Sequence, residues 1–108
     1  MAVNRQRGLC RVGKVADIPF GKMIGAEIEG EKILVANVDG SFHAMRSTCN
    51  HAGGPLHQGK LEGKIVTCPL HGSKWDVTSG SLVWFMRPLP NEPVYRVVVE
   101  GGEVFVER

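Results

Sequence analysis

Short runs of β-branched and other apolar residues, separated by turns that contain glycine, make up most of the chain. No stretch repeats its apolar residues at helical spacing, whereas Val94–Val99 alternates with the two-residue period of a β-strand. The pattern therefore predicts an all-β fold. The predicted strands are Leu9–Val12, Met23–Glu29, Lys32–Val38, Ser41–Arg46, Lys64–Thr67, Lys74–Val77, Ser81–Phe85 and the two arms of a hairpin over Pro93–Arg108.

The turns between these runs predict how the strands connect. Asp39-Gly40 lies between two strand candidates and is typical of a type I′ hairpin, because that turn needs a positive φ at both central residues. Glu29–Glu31 joins the preceding pair, so the first half of the chain is predicted to be a meander. Gly101-Gly102 closes the final hairpin, to which we assign a purely structural role.

Two segments do not fit the strand pattern, Thr48–Glu62 and Pro69–Ser73. Both are rich in glycine, histidine or proline, and loops of this kind on a rigid sheet often carry ligands. A chain of 108 residues has room for one modest core. We therefore expect a flexible tail over residues 1–8 and a single domain over residues 9–108.

Composition excludes several classes of protein. Apolar residues make up 43% and charged residues 22% of the chain, as in ordinary folded proteins. The net charge is only +2 and the basic residues are scattered, so no nucleic-acid partner is expected. The longest apolar runs, Ile33–Ala36 and Leu82–Met86, are far shorter than the roughly 20 residues of a membrane span. No export signal is recognised at the N-terminus, and the expected compartment is the cytoplasm.

The cysteines indicate metal ligation. There are three, an odd number, and two of them lie next to histidines. Cys49 and His51 form a C-x-H unit, and Cys68 and His71 form a C-x-x-H unit. Cys10 lies in a predicted strand and is expected to be a small buried hydrophobic residue.

The identity of the metal is left open by the ligand types alone. Two cysteines and two histidines also satisfy a tetrahedral structural zinc ion. Here each loop mixes one thiolate with one imidazole, which favours a two-iron cluster with one residue of each type from each loop. Residues i and i+2 of an extended loop lie roughly 7 Å apart, enough to reach two neighbouring irons.

The two ligand segments closely resemble those of the Rieske family. The first is Cys49–Leu56, with the sequence CNHAGGPL, and the second is Cys68–Ser73, with the sequence CPLHGS. Arg87–Pro90 resembles the proline loop that covers the cluster in this family. The resemblance extends over residues 9–107 and implies a Rieske-like antiparallel β-sandwich or incomplete barrel with a subdomain of cluster-binding loops.

The resemblance also implies a cofactor and its surroundings. One [2Fe-2S] cluster would be held by Cys49, His51, Cys68 and His71, and neutral imidazoles would raise its potential to the Rieske range of about −150 to +300 mV. Residues expected around the cluster are Gly53, Gly54 and Gly72 through their backbone N–H groups, Ser73 as a hydroxyl donor, Trp75 where high-potential members have a tyrosine donor, and Pro88 in the proline loop.

The sequence differs from the respiratory Rieske proteins in one feature of the ligand loops. Those proteins carry an additional cysteine in each ligand loop, and the pair forms a disulfide. Gly54 and Leu70 occupy the corresponding places here. The sequence is therefore more similar to the soluble ferredoxins and to the Rieske domains of oxygenases.

Neither remaining histidine is expected to be a ligand. His43 is predicted to be partly buried and structural, and His57 is placed near an exposed rim. Docking is predicted to surround His51 and His71 with Pro55, Leu56, Leu70 and the proline loop, with His57 and Gln58 tuning specificity.

The leading hypothesis is a monomeric one-electron carrier between a flavin reductase and a terminal oxygenase, similar to the ferredoxin components of aromatic-ring dioxygenases. No acid–base pair or nucleophile indicates substrate chemistry, so an electron-transfer protein is expected rather than an enzyme. The alternatives are a Rieske-like small subunit of an assimilatory nitrite reductase and a structural zinc module.

Overall fold

The computed structural model describes residues 8–49, 53–70 and 72–107, and within them the fold is almost entirely β. Two short 3-10 helices, Val15–Asp17 and Leu56–Gln58, interrupt the strands. Ten strands follow one another along the chain. They are β1 (Leu9–Lys14), β2 (Met23–Ile28), β3 (Glu31–Val38), β4 (Ser41–Arg46), β5 (Lys60–Glu62), β6 (Ile65–Thr67), β7 (Lys74–Asp76), β8 (Leu82–Trp84), β9 (Val94–Glu100) and β10 (Glu103–Glu107).

The strands form two antiparallel sheets. The larger has six strands in the order β1-β10-β9-β4-β3-β2, and the smaller has four in the order β5-β6-β7-β8. The edge strands of the large sheet approach each other, since a Cβ added at Gly13 of β1 would lie 3.6 Å from Ile24 Cδ1 of β2. This nearly closed sheet with a small loop-bearing sheet confirms the predicted incomplete barrel.

Strand β3 lies at the centre because both of its faces are buried. Ile33 and Val35 belong to a core enclosed by the large sheet, together with Val104 and Val106 of β10. Their neighbours along β3 point the other way into a second core, which lies between the two sheets. This second core consists of Leu34, Ala36, Met45, Cys49, Leu56, Val66, Cys68, Trp75 and Val77. Both predicted thiolate ligands therefore belong to the packed interior between the sheets.

The predicted turns are confirmed by the backbone. Asp39 and Gly40 both have positive φ, at 52° and 93°, as a type I′ hairpin requires. The closing hairpin turns at Gly101-Gly102, with φ of 60° and 77°. These two turns therefore set the register of β3 with β4 and of β9 with β10.

The prediction was wrong over part of the first irregular segment. Lys60–Glu62 forms strand β5 and pairs with β6, from Lys60 opposite Thr67 to Glu62 opposite Ile65. The turn that joins them contains Gly63 at a φ of 62°, so a tight hairpin follows directly after the loop. Glycine, histidine and proline earlier in the segment masked this short strand.

A search of the described residues for helices long and apolar enough to cross a membrane finds none.

Candidate metal centre

The first ligand loop begins where β4 ends. The backbone N–H of Ser47 donates to the carbonyl of Lys32 at 2.8 Å, which extends the β3–β4 pairing by one residue. Cys49 follows two residues later, and its N–H donates to the carbonyl of Gly54 at 2.9 Å. The paired strands β3 and β4 therefore position Cys49 at the start of the loop.

The second ligand loop is the tip of the β6–β7 hairpin. The N–H of Cys68 donates to the carbonyl of Ser73 at 2.8 Å, and the N–H of Gly72 donates to the carbonyl of Cys68 at 3.2 Å. Gly72 has a φ of 78°, in the left-handed region that other residues avoid. The hairpin therefore closes tightly at Cys68, one residue beyond the end of β6.

The two loops touch at Gly54. A Cβ added there would lie 2.9 Å from the sulfur of Cys68 and 3.0 Å from Leu70 Cδ1, so only glycine fits between the loops. Cys49 and Cys68 form no disulfide among the described residues, and each is 3% exposed. Two cysteines from facing loops, not joined by a disulfide and shielded from water, are the donor set that the thiolate side of a two-iron cluster requires.

Ser73 connects the first cysteine to the core. Its Oγ lies 3.4 Å from Cys49 Sγ and accepts a hydrogen bond of 3.0 Å from the indole Nε1–H of Trp75. If Cys49 ligates iron, its thiolate would carry no proton and the Ser73 hydroxyl would donate to Cys49 Sγ. Trp75 is completely buried, as expected of a core aromatic, and its indole N–H donates to Ser73 Oγ.

Two of the loop glycines use their own N–H groups within their turns, and donation to the cluster by the amides around them stays a prediction. The N–H of Gly53 donates to the carbonyl of Cys49 at 2.9 Å, and the N–H of Gly72 donates to the carbonyl of Cys68. Each amide closes its own turn, so both glycines shape a loop. Their positive φ values, 73° and 78°, explain the residue type.

The predicted proline loop is fastened at its base. The buried carboxylate of Glu92 accepts a hydrogen bond of 3.1 Å from Arg46 Nε at the end of β4. The N–H of Arg46 donates to the carbonyl of Pro93 at 3.0 Å, and the N–H of Glu92 to the carbonyl of Gly80 at 2.8 Å. The stretch before this anchor is largely exposed, Pro88 included.

Two of the four predicted ligands, His51 and His71, lie outside the described residues. His43 is half-buried, as predicted. Cys10 is only half-buried and packs against the core inside the large sheet, with its Sγ 3.9 Å from the carbonyl of Gly8.

Two residues of the predicted docking surface point inward instead. Leu56 is completely buried between the sheets, so its assignment to the docking surface is wrong. His57 is half-buried, with its ring bonded to Ser47 and packed on β2, so its assignment to the exposed rim is also wrong. The apolar loop sequence concealed that this short 3-10 helix turns its side chains into the protein.

One carboxylate of the small sheet has a shifted pKa. Burial of Asp76 acts to raise its pKa, but hydrogen bonds from the hydroxyl and N–H of Thr78 and the nearby ammonium of Lys64 outweigh it. The pKa of Asp76 is therefore held below its ordinary value. The carboxylate stabilises the turn that leads from β7 to β8.

This geometry agrees with comparisons to known proteins. Residues 8–98 match the Rieske [2Fe-2S] domain, and the chain belongs to that family. The protein is therefore a [2Fe-2S] protein, which decides against the zinc alternative.

The chain is similar to the ferredoxin component of a naphthalene 1,2-dioxygenase system from Pseudomonas aeruginosa, with 32% identity over 84% of this chain and 86% of that protein. It is 35% identical to the biphenyl 2,3-dioxygenase ferredoxin component of Rhodococcus jostii (strain RHA1), over 92% of each chain. Among solved structures, a complex of reduced oxygenase and oxidised ferredoxin in carbazole 1,9a-dioxygenase contains a chain that superposes with a TM-score of 0.87, at 27% identity and 94% coverage of both chains.

Proposed function

We propose that this protein is a one-electron carrier that delivers electrons from a reductase to a terminal oxygenase. The observation that carries this proposal is the pair of buried cysteines, not joined by a disulfide, on two facing loops at one end of a Rieske fold. Similarity to dioxygenase ferredoxin components over 84–92% of this chain favours a carrier over a subunit of a nitrite reductase. We also propose a flavoprotein reductase as donor, a monomeric state and a cytoplasmic location.

The cluster is proposed to be held by Cys49, His51, Cys68 and His71. Support comes from the two cysteines, which come from different loops and share one core. When bound, the cluster supplies a one-electron redox centre. The chain's own contribution is to bury the sulfurs, to place the Ser73 hydroxyl at Cys49 Sγ, and to leave the loop end accessible to a partner.

The histidine ligands are tested by replacement with a thiolate. We expect His71→Cys to lower the potential by roughly 200 mV or more, from the Rieske range of about −150 to +300 mV toward the plant-type value of about −400 mV. Protein-film voltammetry measures this. An iron-loaded variant with the parental potential would remove His71 from the ligand set.

The partner is proposed to dock at the loop end, on apolar side chains flanked by cations. Leu70 in the second loop is 54% exposed, and Trp84 and Met86 are 52% and 75% exposed. Trp84 pairs with Lys74, which follows Ser73 directly, so β8 brings its indole next to the second loop. Among the described residues, neither Lys74 nor Arg87 forms an ion pair. A partner surface with an apolar recess and carboxylates around it fits this combination.

The carrier proposal is tested by reconstitution. Purified holoprotein is combined with the reductase and oxygenase components of a naphthalene dioxygenase system, and product formation is followed with NADH as electron source. We expect turnover that depends on this protein, and about tenfold slower oxygenase reduction for Trp84→Ser at unchanged potential.

Phe20 provides the matched control for that variant. It is 71% exposed and lies against Gly40 in the β3–β4 turn, at the other end of β4 from the first loop. Phe20→Ser should therefore transfer electrons at the parental rate. No turnover with this protein, in a system where the native ferredoxin supports turnover, would refute the carrier proposal.

A further inference from the structure

The first ligand loop folds back on itself as a short ladder. The N–H of Leu56 donates to the carbonyl of Ser47 at 2.7 Å, and the N–H of Cys49 donates to the carbonyl of Gly54 at 2.9 Å. The returning strand of the loop therefore runs beside the segment that carries Cys49. Any movement of the returning strand is transmitted to Cys49 through these hydrogen bonds.

His57 fastens the end of this ladder that is further from Cys49. Its backbone N–H donates to Ser47 Oγ at 3.1 Å, and its ring Nδ1 lies 2.7 Å from the same oxygen. Because Oγ accepts the backbone N–H, its own proton is available to donate to Nδ1. One hydroxyl thus holds both the main chain and the ring of His57.

The ring of His57 is also seated on the large sheet, at Gly25 of β2. A Cβ added at Gly25 would lie 2.4 Å from Cδ2 and 2.7 Å from Cγ of the imidazole, distances that real atoms do not adopt. Gly25 has no positive φ, so the backbone conformation does not demand glycine at this strand position. The space taken by the ring of His57 explains the glycine instead.

We propose that His57 is a positioning residue, which with Ser47 and Gly25 clamps the first ligand loop onto the large sheet and so fixes Cys49 for the cluster. Both hydrogen bonds of His57 go to Ser47, and the residue acts through the ladder. This inference rests on Cys49 as a ligand of the proposed site. It does not depend on which protein receives the electron.

A double-mutant cycle tests the clamp. Gly25→Ala changes no residue of the loop, but its added methyl group must displace the ring of His57. In the His57→Ala background the space beside Gly25 is empty, so the methyl group displaces nothing. We expect Gly25→Ala alone and His57→Ala alone each to speed cluster loss to a chelator roughly fivefold, the size of one lost hydrogen bond. Adding Gly25→Ala to His57→Ala should change the rate very little.

Two further readouts separate positioning from general destabilisation. Electron paramagnetic resonance of the reduced holoprotein should show broader lines in each single variant, because the loop holding Cys49 samples more geometries. Hydrogen exchange of the Leu56 and His57 amides should accelerate, while the amides of the β9–β10 hairpin keep their protection. His57→Asn, whose amide oxygen takes the place of Nδ1, should restore most of the parental behaviour.

Matched controls come from the same sheet. Gly13→Ala adds a Cβ that makes only an ordinary contact with Ile24, and His43→Ala removes another half-buried histidine. Both should lose the cluster at the parental rate. If Gly25→Ala does not fold, Ser47→Ala supplies the test, since it removes the oxygen that both bonds share.

Strictly additive effects of Gly25→Ala and His57→Ala, or parental line widths and exchange in His57→Ala, would overturn the clamp. All these measurements are made on the cluster without partner proteins. Failure of the clamp is therefore distinguishable from failure of the electron-carrier proposal, which is read from reconstituted turnover alone.

Discussion

The two ligand loops reach the same site by different means. The second loop is the tip of a hairpin, so its shape follows from the pairing of β6 with β7 and from turn hydrogen bonds at Cys68. The first loop is long and irregular, and its returning strand is attached to the large sheet through Ser47 and Gly25. A local turn fixes one cysteine, whereas contacts between residues distant in sequence fix the other.

The difference has a structural reason. The hairpin of the second loop is short, and it is rigid because its two strands belong to the small sheet. The first loop connects the two sheets, because it leaves β4 of the large sheet and enters β5 of the small one. Leu56 buries the middle of this connection in the core between the sheets. The loop therefore both carries a ligand and joins the two halves of the fold.

The largest effect is expected from removing a thiolate in either loop. Cys49→Ser and Cys68→Ser should each abolish the visible absorption of the cluster, because one hard alkoxide cannot replace a thiolate on iron. Cys10→Ser serves as control and should keep a full cluster. Iron and sulfide analysis of freshly purified protein gives the answer, and a full cluster in Cys49→Ser would remove the first loop from the site.

The contact between the loops is the next target. Gly54→Ala places a methyl group 2.9 Å from Cys68 Sγ, so one loop must move away from the other. We expect a loss of about 1–3 kcal/mol in the free energy of unfolding, as for overpacked cores, together with faster cluster loss. Gly13→Ala should show neither change in thermal denaturation. A Gly54→Ala protein as stable as the parent would mean that the loops do not meet there.

Ser73 and Trp75 link the two loops, since the Ser73 hydroxyl of the second loop lies 3.4 Å from the sulfur of Cys49 in the first, and we expect it to donate to the thiolate. Ser73→Ala should lower the potential by roughly 60 mV, which corresponds to about 1.4 kcal/mol for one electron. Trp75→Phe keeps the buried ring but not the N–H, and should shift the potential in the same direction by less. Square-wave voltammetry decides, and an unchanged potential in Ser73→Ala would contradict the donor role.

The smallest effect concerns the small sheet beyond the loop. A carboxylate with a lowered pKa stabilises the folded state above its unfolded pKa, and this contribution is lost as pH falls through its folded pKa. Asp76→Asn should therefore unfold about 0.5 kcal/mol more easily at pH 7, as is usual for a solvent-screened carboxylate. The difference from the parent should disappear in acid, below the lowered pKa of Asp76. Urea titrations between pH 7 and pH 2 measure this, and a difference that persists in acid would assign the effect to another cause.

The same contrast explains what could be predicted from the sequence. Features encoded by neighbouring residues were predicted correctly, such as the hairpins at Asp39-Gly40 and Gly101-Gly102. Features that need a distant partner were not. His57 looked like a rim residue because Gly25, which makes room for its ring, lies on another strand.

Two further differences have the same origin. Leu56 was assigned to the surface because nothing near it in sequence reveals that the first loop packs between two sheets. The use of the Gly53 and Gly72 amides within their own turns became clear only from the backbone hydrogen bonds. The local sequence pattern predicted the strands and turns, whereas tertiary packing determines which side chains face inward.

The central claim is that each loop gives one sulfur and one nitrogen to the same two-iron cluster. Pulsed electron paramagnetic resonance on the dithionite-reduced protein, grown with ¹⁵N-labelled histidine, reads these ligands directly. We expect hyperfine couplings to two imidazole nitrogens. Both couplings should be lost when His51 and His71 are replaced together. A reduced cluster with coupling to no histidine, or to one alone, would contradict it.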